Sequence, residues 1–140
     1  MTAGYSTRSL PEKLGIKPGM HVSALNSPST YPSLLGKLPD GATLHTRPTT
    51  TSAFIHWFVR NRGELDTSFS RLARALTDEG TLWVSWPKQT SGVKTDLNEN
   101  IIREMGLKEG LVDVKVIALD EVWSGLKFVR RVENRARKRK

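Results

Sequence analysis

Two nearly continuous apolar runs constrain this chain more than any other feature: "AFIHWFV", Ala53 to Val59, and "TLWVSWP", Thr81 to Pro87. A strand with one wet face alternates polar and apolar residues, whereas a strand covered on both faces does not. Both runs therefore read as inner strands of a parallel sheet flanked by helices. Between them, Leu65, Phe69, Leu72, Ala73 and Leu76 recur at helical intervals, and Asn61 and Glu64 have capping-box spacing. This amphipathic helix is expected to stop at "DEG", with Gly80 as its C-terminal cap.

The flanks continue the alternation. Ser9 and Glu12 have capping-box spacing with Pro11 in the first turn, which predicts a short helix up to Leu14 that "GIKPG" breaks. "MHVSAL", Met20 to Leu25, reads as a strand ending in the turn-prone "NSPS". Thr30 and Pro32 open a second helix with Leu34, Leu35 and Leu38 on one face, closed by "PDG"; "ATLHT" is a short strand and "TRPTTTS" a polar loop. Pro87 stops its strand because it cannot donate to a ladder. Asp96 and Glu99 then have capping spacing ahead of an apolar stripe of Leu97, Ile101, Ile102 and Met105. "VDVKVIAL" and "LKFVRRV" are the last strands, and the short "DEVWSG" between them favours an antiparallel pair. The expectation is an α/β fold: a three-layer Rossmann-like sandwich, its mostly parallel sheet of about six strands ending in a C-terminal antiparallel hairpin.

At 140 residues the chain suits one domain, expected over 1–133, with a basic tail over 134–140. The absence of cysteine excludes disulfides, thiolate nucleophiles and cysteine-bound metals. The net charge of +8 suggests an anionic partner, but "NRARKRK" at the end carries five of those charges and leaves +3 on the rest. Without interleaved aromatics, that block reads as a disordered, solubilising extension. The start lacks the apolar run of a signal peptide, and no segment approaches the roughly 18 apolar residues of a membrane span, so a soluble cytoplasmic protein is expected.

In open α/β sheets, ligands bind outside the carboxyl ends of the strands where strand order reverses. Those ends supply Asn26 and Ser27, then Arg60 and Asn61, then Trp86 and Lys88, while the last connection adds Asp120, Glu121, Trp123 and Ser124. The candidate ligand-binding set is Asn26, Arg60, Trp86, Lys88, Ser91 and Trp123, lining an anion-tolerant cleft. Trp57 and Trp83 are assigned to the core. Common chemistries are missing. There is no G-x-S-x-G around Ser85, Ser91 or Ser124; His21, His45 and His56 have no metal-ligand spacing; and adjacent Asp120 and Glu121 would face opposite ways on a strand. "LNSPSTY" has no glycine to let backbone approach a phosphate, and "ATLHTRP" ends in His45 and Arg47 where a ribose-binding acid is expected. No catalytic residue, metal ligand or cofactor is assigned on these grounds.

"GTLWVSWPK", with "SGV", "EGLVDVKV" and "VWSGLKFV", resembles a domain-of-unknown-function family of small bacterial proteins, number three-zero-five-two, over about Tyr5 to Arg131. That resemblance implies no activity or site residues. More distantly, "LGIKPGMHV" looks like the entry to the first strand of class I S-adenosylmethionine-dependent methyltransferases. "LARALTDEGTLWV" looks like their helix and glycine turn before a late strand, and the final strands like their terminal hairpin. The stretch between Asn26 and Ala53 is too short for the two strand–helix units that hold the cofactor, which implies a trimmed version of that fold. The leading functional expectation is a non-enzymatic domain that binds a small anionic ligand or a protein partner. The alternative is an atypical S-adenosylmethionine-dependent methyltransferase-like enzyme, and a third reading is nucleic-acid association through the tail.

Overall fold

The computed structural model describes residues 8–47 and 51–134. The basic block from Arg135 onward, with the nucleic-acid role expected of it, lies outside the described residues, as do the start of the family resemblance at Tyr5 and the middle of the "TRPTTTS" loop. The described residues hold six strands and four α-helices: α1 (Leu10–Leu14), β1 (His21–Leu25), α2 (Tyr31–Leu35), β2 (Thr43–His45), β3 (Ser52–Phe58), α3 (Arg62–Ala75), β4 (Leu76–Pro87), α4 (Glu99–Lys108), β5 (Leu111–Ala118) and β6 (Trp123–Arg130). They form one sheet in the order β2-β1-β3-β4-β6-β5. Strands β2, β1, β3 and β4 run parallel, and β6 lies antiparallel between β4 and β5. No helix among the described residues is long and apolar enough to cross a membrane.

The two apolar runs sit at the middle of the sheet because each feeds two cores. On one face, Ile55, Trp57 and Val59 of the β3 run and Leu82, Val84 and Trp86 of β4 pack against Leu65, Phe69 and Leu72 of α3 and Ile102 of α4. On the other, Phe54, Phe58 and Trp83 pack against Leu14 of α1 and Tyr31 and Leu35 of α2. Period-two alternation thus sends successive apolar side chains to opposite layers, and burying each such side chain contributes about 1.5–3 kcal/mol. Trp83 is anchored further by its indole Nε1, which donates to Leu14 O at 2.9 Å.

The Ser9–Glu12 capping box is formed in full. Asn61 caps α3, its Oδ1 accepting from Glu64 N at 2.9 Å, while the Glu64 carboxylate turns to Arg60 N instead of closing the box. Three local expectations differ from the structure. Gly80 does not cap α3; the helix ends at Ala75 and the chain runs directly into β4. The guanidinium of Arg130, arriving from β6, donates to Ala73 O and Leu76 O and satisfies the helix end that a glycine turn would have closed. Gly80 sits in an irregular register between β3 and β4, where a Cβ would stand 3.0 Å from Ala53 O. Asp96 is not the cap of α4: Asn98 is, through Asn98 Oδ1 and Ile101 N, and Asp96 accepts from Arg62 N at 2.7 Å. Thr95, bonded to Arg60 O and Leu97 N, ties this stretch to the end of β3 and delays the helix by two residues. Finally, α2 ends at Leu35 with Gly36 after it, so Leu38 lies beyond the helix, though still against the core.

Candidate functional site

Strand order reverses between β1 and β3, because the chain leaves β1 outward to β2 and returns on the other side. Asn26 follows β1 directly with φ at 57°, the only non-glycine with positive φ among the described residues. Asparagine tolerates this left-handed conformation better than most residues. The turn therefore has the backbone geometry of a glycine turn without the glycine. Opposite it, Arg60 is fixed from four sides. Its N–H donates to Glu64 Oε1 at 2.9 Å, its carbonyl accepts from Thr95 Oγ1 at 2.9 Å, and its Nη1 donates to Asn26 O at 3.2 Å. Its guanidinium carbon lies 5.2 Å from the centre of the Trp123 ring, a cation–π contact. Among the described residues Arg60 has no carboxylate partner.

Of the six residues expected to line a cleft, Asn26, Arg60 and Trp123 come together here. Trp123 opens β6, pairs with Pro87 and meets Phe58 edge-on at 5.0 Å. Trp86 is one residue out of phase with Pro87, so it points to the opposite face and packs in the α3–α4 core at 5 % exposure. Lys88 donates its backbone N–H to Val122 O at 2.7 Å and forms no ion pair among the described residues. Ser91 closes its own turn, donating to Lys88 O and accepting from Val93 N. Asp120 holds the last connection, its Oδ1 accepting from Val122 N and Trp123 N.

The histidines divide sharply. His56 is fully buried, with Nδ1 2.7 Å from the Tyr31 hydroxyl and Nε2 2.8 Å from Ser85 Oγ. Burial pushes its pKa from the ordinary 6.5 down to about 3, so the ring is neutral, and burial pushes the Tyr31 hydroxyl up. The Tyr31–His56–Ser85 chain has the residue types of an acid–base relay, but Tyr31 is 1 % exposed and the other two are sealed. It is a satisfied polar thread through the α1–α2 core, pinning that layer to β3 and β4. His21 and His45 are exposed instead and meet across β1 and β2. They line a separate cavity of about 590 Å³ with Gly19, Met20, Ser23, Arg47 and Ser52.

No family model matches the chain, and no curated protein matches it either, so the likeness to the domain-of-unknown-function family stands on the quoted motifs alone. Among solved structures, a protein from Sulfolobus solfataricus assigned as a type 11 methyltransferase matches 91 % of this chain and 92 % of its own, with 14 % identity and a TM-score of 0.57. The fold is Rossmann-like, of the methyltransferase type. A protein from Galdieria sulphuraria assigned as a sarcosine dimethylglycine methyltransferase matches 84 % of this chain and 81 % of its own, with 10 % identity and a TM-score of 0.46. At these identities the likeness concerns the fold, not the activity.

Proposed function

We propose that this chain is an S-adenosylmethionine-dependent methyltransferase-like domain of atypical cofactor mode, its ligand seated between the carboxyl ends of β1 and β3. The observation that carries this reading is the left-handed turn at Asn26 with the Arg60 guanidinium on its carbonyl. A positive φ after the first strand makes the tight turn for which glycine is usual, and Asn26 supplies that turn. Arg60, without a carboxylate partner among the described residues, is suited to a ligand carboxylate such as the one at the methionine end of S-adenosylmethionine. The fit is partial. The second strand ends in His45, whose ring is engaged with His21 and Thr43, where a ribose would need an acid. No methyl-transfer step is therefore assigned to particular residues.

A second reading, a non-enzymatic domain that binds a small anion in the same crevice, is favoured by that missing acid and by the burial of His56 and Ser85. Thermal unfolding separates the two. The methyltransferase-like reading expects S-adenosylmethionine and S-adenosylhomocysteine to raise Tm by several degrees, since saturation at 100 times Kd stabilises by about 2.7 kcal/mol. Arg60→Gln should remove most of that rise. A rise with phosphate or citrate but not with adenosyl compounds favours the second reading, and no rise with either at millimolar concentration sinks both.

A further inference from the structure

We propose that His21 and His45 form a binding site for a borderline transition-metal ion, with Zn²⁺, Ni²⁺ and Cu²⁺ the class expected, at the mouth of the cavity beside β2. The register pairs His21 with Thr43 and Ser23 with His45, so both histidines and Thr43 share one face of neighbouring parallel strands. His21 Nδ1 stands 3.1 Å from His45 Nε2, and Thr43 Oγ1 stands 2.9 Å from each.

These three atoms form a nearly equilateral triangle, a poor arrangement for hydrogen bonds. An imidazole nitrogen has a single in-plane lone pair or N–H, yet each ring nitrogen here faces two partners. One ion above the triangle would meet both nitrogen lone pairs at once, with the threonine hydroxyl as a weak third donor or as a partner for bound water. Two nitrogens on a tetrahedral zinc, each about 2.1 Å from it, stand roughly 3.4 Å apart, close to the spacing found. Imidazole donors without thiolate or carboxylate select zinc, copper and nickel over calcium or magnesium.

The surroundings keep coordination positions open. The cavity of about 590 Å³ admits water and small ligands to the ion, and buried Ser23 and Ser52 add hydroxyls to its lining. Arg47 lines the same cavity. Its charge tempers the affinity for a bare cation and favours an anion as co-ligand, bridging metal and guanidinium. His56, the remaining histidine, is sealed in the core and cannot compete.

The experiment is a titration of the untagged full chain with Ni²⁺ and with Zn²⁺ near pH 7.5, followed by calorimetry, alongside His21→Ala, His45→Ala and Thr43→Val. Both histidines are exposed, so the alanine variants should fold with little change in Tm. The expected result is one saturable site, weakened by more than about 100-fold in either alanine variant, because outer partners alone are worth about 10–100-fold, the range expected for Thr43→Val. Substoichiometric Cu²⁺ should broaden the ring signals of His21 and His45 and spare those of His56. Absence of saturable binding at millimolar metal, or binding undiminished in either alanine variant, overturns the site.

Discussion

His56 makes stability depend on acid in a way that can be calculated. In the folded chain its ring stays neutral down to about pH 3, because protonation would put a charge in a sealed core. In the unfolded chain it protonates near the ordinary 6.5. The folded value lies below the unfolded one, so the contribution is fully present above about pH 6.5 and is lost as pH falls toward 3. Between those limits each pH unit removes about 1.4 kcal/mol, which gives ~2 kcal/mol at pH 5 and ~5 kcal/mol once the folded ring titrates. Against a total of about 5–15 kcal/mol for an ordinary domain, the ~3 kcal/mol lost by pH 4 is a large share of the whole. The assay is urea denaturation of the wild type and His56→Gln at intervals from pH 7.5 to 4.5. Carboxylates, His21 and His45 are common to both proteins and drop out of the difference. At pH 7.5 the variant should be less stable, since losing a partner of Tyr31 or Ser85 leaves a buried hydroxyl unsatisfied at about 1–3 kcal/mol. The gap should then close by ~2 kcal/mol on reaching pH 5. Parallel curves, or a His56 ring signal that titrates near pH 6.5 in the folded protein, would refute the reasoning.

Two further outcomes follow from packing and backbone. Gly106 of α4 faces the Phe128 ring so closely that a Cβ would lie 2.1 Å from one ring carbon, and Phe128 is fully buried. Gly106→Ala should therefore cost about 1–3 kcal/mol in urea denaturation despite the better helix propensity of alanine, and Phe128→Leu should restore part of it. Asn26→Gly should be neutral within about 0.5 kcal/mol while Asn26→Val loses about 1–2 kcal/mol, because only the latter resists positive φ; equal losses would show that the turn is not left-handed in solution.

Much of the layered architecture was legible because hydrophobic period is a local property. Ala53 to Val59 and Thr81 to Pro87 announce two-sided burial without reference to the rest of the chain, and the short last connection announces an antiparallel pair. What stayed hidden depends on residues distant in sequence. "DEG" looks like a helix end because nothing nearby reveals that Arg130, more than fifty residues later, will bond Ala73 O of α3 and Leu76 O just beyond it. Asp96 and Asn98 offer similar capping chemistry two residues apart, and the choice is made by the bond from Thr95 to Arg60 O. The strand-end rule named Asn26, Arg60 and Trp123, which do meet, but that Trp123 joins them while Trp86 turns away follows from the pairing of Pro87 with Trp123. Asn26 was named from its place at the end of a strand, and its left-handed backbone, shared by no other described non-glycine residue, was not legible in the sequence. His21 and His45 lie 24 positions apart and meet only through the β1–β2 register.

The placement of β6 between β4 and β5 has a consequence for how the chain can be made. Spatial order and order of synthesis disagree there: β5 emerges first, yet its strand pairing is with β6 alone, which emerges last. Until Trp123 to Arg130 has been translated, β4 presents an unpaired edge and β5 has no neighbour to join. Such an edge, flanked by Leu82, Trp83 and Val84, invites pairing with another chain. A chain terminated before Trp123 is thus expected to be an aggregating fragment rather than a smaller working domain.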